Sequence, residues 1–357
     1  MRSYRINNLA MIHIRSIFTT CFLIIFSTTL SAQINYLELP KDRQFDFWIG
    51  EWDVNLRVKQ ADNSWKDDIK SIAKIYSIND GRAILELWND QRPNGIKGFS
   101  LRYYNFESEQ WDLWLNWPNQ NYSALSSMSG NFRHGRGEFW GGNGDTLSVY
   151  TFSDITPYYL RWDDAFTSDG GKNWRNNWIM EFTRTAETPD WPEGERAHTY
   201  DVADRCDLPE FSAFRDLKGN WVGTVKEKID NKWKEGKAEM KGFEVLNGCA
   251  VLNFMTLDVH GDTSEHFSIK SYNFFAKMLE DGQIGDREED NLRRYFGKYS
   301  QDSKIYEMEE STVAGKLIKK YRWDLSESGV ALIQVFEGIN GEKIEWTKVT
   351  DITLQKN

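Results

Sequence analysis

Apolar and polar positions alternate with a period of two in short runs along most of the chain. Runs such as Trp52 to Lys59 and Ile69 to Tyr76 are rich in β-branched and aromatic residues, and turn signals such as Asn79-Asp80-Gly81 separate them. Only the charged stretch from Glu280 to Arg294 has a weak helical period. The pattern predicts an all-β protein. Meandering antiparallel barrels are the expected closure, because a barrel leaves no unpaired strand edge.

The same pattern occurs twice. Gly50-Glu51-Trp52 returns as Gly219-Asn220-Trp221, and Phe99 to Phe106 returns as Phe267 to Phe274, so the register is nearly constant. We therefore predict two tandem barrels that arose by internal duplication. The predicted boundaries are 1–32 for a signal peptide, 45–186 for the first barrel, 187–208 for a linker and 209–357 for the second barrel.

The first 32 residues form a segment of a different kind. They carry three arginines and no acidic residue, followed by an apolar run from Ile17 to Leu30 that ends at Ser31-Ala32. This is typical of a secretory signal peptide cleaved after Ala32. We expect an exported protein, periplasmic or secreted, with no stable membrane anchor after cleavage. A single anchor is the alternative, although hydroxyl residues interrupt the run.

Composition adds three constraints. The chain has 357 residues with 16 Trp, 15 Tyr and 21 Phe, which indicates aromatic-rich barrels or surfaces that stack on flat ligands such as sugars. The formal net charge of −10 argues against nucleic acid as a partner. Cys206 and Cys249 remain after signal cleavage, and export permits a disulfide without showing that the two thiols are close.

The segment Phe47-Trp48-Ile49-Gly50-Glu51-Trp52 carries a family resemblance. Its Gly-x-Trp is similar to the signature of lipocalins (calycins), and the full Phe-Trp-x-Gly-x-Trp form resembles an exported lipocalin-like bacterial family. The second copy keeps Gly219 and Trp221 but replaces the Phe-Trp pair. The resemblance implies two lipocalin-like barrels, each with this Trp at its floor. The arginines that the resemblance suggests above it are Arg161, Arg184 and Arg322.

Strand alternation groups the first set of candidate site residues. Residues two apart share one face of a strand, about 7 Å from each other, so Arg102 and Tyr104 lie together in the first copy. His266, Lys270 and Tyr272 lie together in the second copy. One interpretation is a solvated outer face. The functional interpretation is that Arg102 or Lys270 holds a carboxylate while Tyr104, Tyr272 or His266 moves a proton, with both faces serving one site.

A second candidate surface follows the tryptophan-rich segment. His134 and Arg136 lie in a basic cluster, and Trp114 and Trp117 precede it. Indole rings stack on sugar rings and Arg binds carboxylate or sulfate, so one interpretation is an acidic-sugar site and the alternative is an ordinary charged hairpin. We predict Arg136, Trp114 and Trp117 as substrate-binding and His134 as catalytic.

Other chemistry is less well supported by the sequence. The group of His260, Asp262, Glu265 and His266 matches no standard metal spacing, so neither a metal nor another cofactor is predicted. Residues 167–174 resemble an Asp-box hairpin, which occurs only once, so we interpret it as a turn. A glycosidase carboxylate pair among the following residues is a weaker alternative, because nothing in the sequence determines their separation: Glu138, Asp163 and Asp164.

In overall layout the chain resembles the ulvan-oligosaccharide dehydratase type of polysaccharide-degrading protein. The resemblance implies a lyase that removes water from the non-reducing-end uronic acid of an acidic oligosaccharide. It transfers no catalytic residues. Two alternatives stay open: a non-catalytic carrier of a small apolar or haem-like ligand, and an envelope scaffold.

Overall fold

A computed structural model of the chain describes residues 38–92, 95–118, 126–190, 206, 209–273, 276–286, 292–310 and 316–357. Across these ranges the protein is almost entirely β-structure, with twenty antiparallel strands in two closed barrels of ten. The predicted all-β architecture of two tandem antiparallel barrels is therefore confirmed. The predicted signal peptide lies outside the described residues. In these ranges no helix has the length and apolar character needed to cross a membrane.

The first barrel is an up-and-down meander in which β1 closes on β10. Its strands are β1 (Gly50–Lys59), β2 (Trp65–Ile78), β3 (Ala83–Asp90), β4 (Lys97–Asn105), β5 (Gln110–Asn116), β6 (Ser126–Arg133), β7 (Arg136–Asn143), β8 (Thr146–Ser153), β9 (Tyr159–Thr167) and β10 (Trp178–Ala186).

The second barrel repeats this topology, with β11 closing on β20. Its strands are β11 (Gly219–Ile229), β12 (Lys232–Val245), β13 (Ala250–Val259), β14 (Asp262–Asn273), β15 (Met278–Gly285), β16 (Arg293–Ser300), β17 (Ile305–Glu310), β18 (Leu317–Asp324), β19 (Val330–Ile339) and β20 (Thr347–Lys356).

The weak helical period from Glu280 to Arg294 is misleading. Residues 280–285 belong to β15, and residues 293 and 294 begin β16. Glu280 and Asp281 do not lie on a solvated helix face, because both are buried and each forms an ion pair with a basic side chain. Pairing with neighbouring strands therefore determines the structure of this stretch, and its weak helical period does not.

Short helical segments close one end of each barrel, here called the plug end. Two 3-10 turns, Lys41–Arg43 and Asp46–Trp48, precede the first barrel, and helix α1 (Pro209–Arg215) precedes the second. Two further 3-10 turns, Asn79–Gly81 and Leu246–Gly248, occupy matching positions between the second and third strands of each barrel. The opposite end is called the far end below.

The two repeated tryptophans are buried at the plug ends. Trp52 Nε1 donates to the carbonyl of Trp48 at 2.8 Å, and Trp221 Nε1 makes the same contact four residues back, to the carbonyl of Leu217. The guanidinium of Arg184 lies 4.1 Å from the centre of the Trp52 ring. Of the three arginines considered for this position, Arg184 therefore occupies it.

Arg161 and Arg322 do not take that role. Arg161 pairs with Asp163 on the same strand, and Arg322 contacts acidic groups on β17 and β18. In the second barrel Lys356 Nζ lies above Trp221 instead, at 5.3 Å from the ring centre. Lys356 pairs with Trp221 across β20 and β11 just as Arg184 pairs with Trp52 across β10 and β1.

The barrels pack side by side through a third apolar core, distinct from their two interiors. Leu85 and Leu101 of the first barrel meet Leu252 and Phe267 of the second in this cluster. Polar side chains also cross the interface: Asn79 Nδ2 donates to the carbonyls of Ile284 and Gly285.

A disulfide joins Cys206 to Cys249 beside this interface. Their Cα atoms are 4.8 Å apart, within the usual range of about 4.4–6.8 Å. Both cysteines are fully buried and belong to the apolar interface core.

Candidate functional site

The two candidate cations lie inside their barrels. Arg102 is 2% exposed and Lys270 is 1% exposed, so neither belongs to a solvated outer face. Ser100 and Arg102 line the same cavity, and Lys270 Nζ donates to Ser268, in agreement with the predicted two-residue alternation. Because each cation is enclosed by its own barrel, the two faces do not form one shared site.

A row of ionisable groups crosses the second barrel from strand to strand. Lys270 on β14 is paired in register with Asp281 on β15, and Asp281 is paired with Tyr295 on β16. Lys270 Nζ lies 3.2 Å from Asp281 Oδ2, which also accepts a 2.7 Å hydrogen bond from Gln283. We call Lys270, Asp281 and Tyr295 the polar row.

Asp281 keeps hydrogen-bonding capacity inside this row. Its Oδ1 atom is buried and has no hydrogen-bond partner among the described residues. Burial raises the pKa of Asp281, an effect that the neighbouring Lys270 opposes, and burial lowers the pKa of Lys270. The pair thus holds a carboxylate that is a stronger base than one in water.

A second tyrosine packs against the polar row. The rings of Tyr295 and Tyr321 meet edge to face with centroids 5.0 Å apart. Burial raises the pKa of both phenols well above the usual value, so both remain protonated at neutral pH. Arg293 lies two residues before Tyr295 on β16, closer to the far end. It pairs with Glu310 at 3.1 Å, and the Arg293 side chain is 31% exposed. The row therefore leads from a buried carboxylate to a partly exposed guanidinium.

The first barrel has apolar residues at the matching positions. Arg102 is in register with Leu113, and Leu113 is in register with Met128, where the second barrel has Asp281 and Tyr295. The acid of the first barrel lies on the other neighbouring strand instead.

That acid is Glu86, which is opposite Ser100, whereas the residue opposite Ser268 in the second barrel is Asn253. The duplicated barrels thus each bury a cation but supply its acid from different strands. Only the second barrel continues the row with a phenol.

The remaining candidates of the second barrel lie at its two ends. His266 is exposed on the Lys270 face toward the far end, where its Nε2 is 3.0 Å from Ser264 Oγ. Tyr272 lies toward the plug end, with its ring 5.9 Å from that of Phe211 on α1. These two side chains therefore flank Lys270 on opposite sides.

Tyr104 holds the corresponding plug-end position in the first barrel. Its ring packs against Phe106 and Trp111, at 5.1 and 5.8 Å, and burial raises its pKa. It takes part in the plug-end packing.

The predicted sugar surface around His134 is not assembled. His134 is exposed in the β6–β7 turn at the plug end, and Arg136 is exposed and pairs with Glu138 at 3.0 Å. Trp114 faces the second barrel, where the guanidinium of Arg294 lies 5.6 Å from its ring, whereas Trp117 lines the cavity of the first barrel. Because these two indoles lie on opposite faces of the sheet, they cannot stack on one sugar.

The proposed glycosidase carboxylates also point apart. Asp163 and Asp164 are successive strand residues on opposite faces, with Asp163 paired to Arg161. Asp164 is held by the main-chain N–H groups of Asn177 and Trp178. Across the described ranges, no three His, Cys, Asp or Glu side chains are grouped to hold a metal ion.

The first barrel contains a small cavity. Its volume is about 40 Å³, room for two or three water molecules by the usual requirement of roughly 10–15 Å³ each. Sites for drug-sized ligands occupy about 300–1,000 Å³. This cavity therefore does not fit a buried haem, one of the ligands considered for a carrier.

Sequence reasoning missed Asp281, Tyr295 and Arg293. Asp281 lies in the stretch that has the weak helical period. A helix does not place Asp281 on the same face as Leu279 and Gln283, whereas a strand does. As a strand, this segment places Asp281 on the barrel interior. The signal was thus present in the sequence, but choosing the partner strands required the fold.

Comparisons with known proteins add little about function. No family model and no curated protein matches the chain. Among solved structures, the S-type phycobiliprotein lyase CPES of Guillardia theta is similar at 13% identity and TM-score 0.30, over 39% of this chain and 89% of that one. A protein of unknown function from the DUF3598 family of Nostoc punctiforme is similar at 10% identity and TM-score 0.27, over 89% and 100%. Such low scores carry no argument about ligand or activity.

Proposed function

We propose that the second barrel is a carbon–oxygen lyase site that removes water from the terminal uronic acid of an acidic oligosaccharide. The observation that carries the proposal is the polar row, because the matching positions of the first barrel hold Leu113 and Met128. This difference supports the second barrel as the reactive one.

The elimination needs three groups. A base removes the proton on carbon 5, the electrons of that bond form a double bond between carbons 4 and 5, and an acid protonates the hydroxyl that leaves carbon 4 as water. The carboxylate beside carbon 5 must also be neutralised, because negative charge develops there in the transition state.

The second barrel offers candidates for each role. Asp281, with its raised pKa and its unpaired Oδ1, is suited to be the base. Tyr295 remains protonated and is suited to be the acid. Arg293, partly exposed near the far end, is suited to hold the substrate carboxylate.

This assignment revises the earlier candidates. Lys270 is 1% exposed and pairs with Asp281, so in the proposal it positions the base. Arg293 also has an acidic partner, Glu310, but it is partly exposed and exchanges that partner for the substrate carboxylate. His266 stays in the proposal as a proton carrier at the far end. Tyr272, Tyr104 and His134 stay as predictions, to be checked with Tyr272→Phe, Tyr104→Phe and His134→Ala.

The test is an elimination assay on oligosaccharides ending in a uronic acid, followed by the ultraviolet absorbance of the new conjugated double bond. We expect Asp281→Asn and Tyr295→Phe each to lower kcat by about 10²- to 10⁴-fold. Arg293→Met is expected to raise KM as well. Glu86→Gln, which changes a buried carboxylate of the first barrel, is the matched control and should retain turnover within a few-fold.

The pH profile gives an independent readout. The base acts only when deprotonated, so kcat/KM should rise with pH through a pKa above the ordinary 3.8 of Asp, because burial raises it. Turnover within a few-fold of wild type in both Asp281→Asn and Tyr295→Phe, with folding verified by circular dichroism, would reject the assignment. The absence of any uronate turnover would reject the lyase itself.

A further inference from the structure

We infer that the first barrel carries a second binding site, separate from the lyase site, for a small carboxylic acid with a flat body. The site is the cavity lined by Trp48, Trp88 and Arg102, with Trp117 toward the far end. It shares no residue with the polar row, so the inference does not depend on the proposed elimination.

Buried hydrogen-bond donors distinguish this cavity. Trp48, Trp88 and Arg102 are at most 3% exposed. The Nε1 atoms of both indoles and the Nε atom of Arg102 have no hydrogen-bond partner among the described residues. Buried donors are normally paired, and three around one cavity favour a group that only accepts hydrogen bonds. A carboxylate is such a group.

Arg102 is the cation of this cavity, and Glu86, which also lines the cavity, is its acidic partner. Glu86 Oε2 accepts a 2.6 Å hydrogen bond from Ser100, while its distance to Arg102 Nη2 is 3.5 Å. The guanidinium therefore makes only a loose contact with its acid. Burial lowers the pKa of Arg102 to about 10, which still leaves it cationic at neutral pH.

The size of the cavity limits how the ligand sits. About 40 Å³ accommodates a carboxylate and little more. The body of the ligand must then lie toward the far end, where Trp117 and Trp178 are partly exposed and their ring centroids are 6.3 Å apart. A third indole, that of Trp88, lies 6.0 Å from Trp178. Indole faces favour an aromatic ring or the apolar face of a sugar.

Binding can be measured by calorimetry and by tryptophan fluorescence on the full chain. The probes are benzoate and glucuronate, which represent the aromatic and the sugar source of the acid, with benzyl alcohol and methyl glucoside as neutral counterparts. We expect at least one acid to bind at least tenfold more tightly than its neutral counterpart. Glucuronate is a uronic acid of the class proposed for the lyase site, so benzoate and the variants below assign the binding to the first barrel. Neither readout requires elimination, and the two proposals can therefore fail separately.

A matched pair of variants locates the site. Trp88→Phe keeps an aromatic ring but removes its donor, and should weaken binding about tenfold. Trp114→Phe is the control. The Trp114 indole N–H also lacks a hydrogen-bond partner among the described residues, but it lies on the outer face of the barrel, so its removal should leave binding unchanged. The double variant Arg102→Met/Glu86→Gln removes both charges together and should abolish binding.

Three results would overturn the inference. These are no binding of either acid, equal weakening by Trp88→Phe and Trp114→Phe, or unchanged binding in a double variant whose folded state is verified by thermal unfolding.

Discussion

At the residue scale, Arg184 shows how one side chain ties the plug to the barrel. Its guanidinium covers the Trp52 ring and donates to the carbonyls of Phe47, Ile49 and Pro157. These bonds connect the 3-10 turn before β1 to the loop before β9. One residue thus satisfies three main-chain acceptors from two parts of the chain.

Replacing Arg184 should therefore be costly. We expect Arg184→Met to lower the free energy of unfolding by about 1.5–3 kcal/mol, because carbonyl acceptors lose a charged donor. Arg161→Met is the matched control: Arg161 makes one partly exposed ion pair, with Asp163 at 3.3 Å, and should change stability by less than about 0.5 kcal/mol. Urea unfolding measures both, and equal effects would contradict the role assigned to Arg184.

At the element scale, the hairpin between β9 and β10 is organised by one carboxylate. Asp169 accepts hydrogen bonds from the main-chain N–H and side-chain amide of Asn173 and from the Thr167 hydroxyl. Gly170 and Gly171 both have positive φ, which glycine adopts without strain. The single Asp-box sequence therefore forms a self-contained turn, consistent with its interpretation as local structure.

This turn should have an acid-sensitive carboxylate. The hydrogen bond from the Asn173 N–H, with those from Thr167 and the Asn173 side chain, lowers the pKa of Asp169 to about 2 from 3.8. Because the folded-state pKa is lowered, its contribution to stability is present above 3.8 and disappears as the pH falls through about 2. NMR titration of the carboxyl carbon should give this value, and Asn173→Ala should raise it toward 3.8. An ordinary pKa in the wild type would refute the prediction.

At the scale of the whole molecule, two barrels share a buried face. Outward side chains of β2 to β4 pack against those of β12 to β15, so residues on the outside of each barrel become core residues of the protein. Arg82 and Asn116 add polar contacts, to the carbonyl of Asp286 and to Ser271. The disulfide between Cys206 and Cys249 lies in the same region.

A single leucine tests this interface. Leu101 is fully buried between the barrels, so Leu101→Ala should lower the free energy of unfolding by about 2–5 kcal/mol. The control is Leu332→Ala. Leu332 is 42% exposed, so this change should alter the free energy of unfolding by less than about 0.5 kcal/mol. Calorimetry compares the two variants. If Leu101→Ala were as mild as Leu332→Ala, the barrels would not be held together by this core.

The sequence alone was sufficient for the features that depend on local pattern. Period-two alternation predicted strands, the repeated Trp52 and Trp221 predicted two similar halves, and two-residue spacing predicted that Ser100 and Arg102 share a face. These inferences hold because side-chain direction along a strand follows from backbone geometry. Alternation does not identify which face of the strand is interior, so the sequence left Arg102 and Lys270 open to an outer-face interpretation.

Only the tertiary structure decided which residues meet. Asp281 joins Lys270 because β15 pairs with β14 in one register, whereas the same register in the first barrel brings Leu113 beside Arg102. Trp114 is covered because the second barrel packs on it, and no local pattern encodes that contact. Cross-strand neighbours, barrel packing and the cysteine separation depend on distances between remote segments, which periodicity along the chain does not contain.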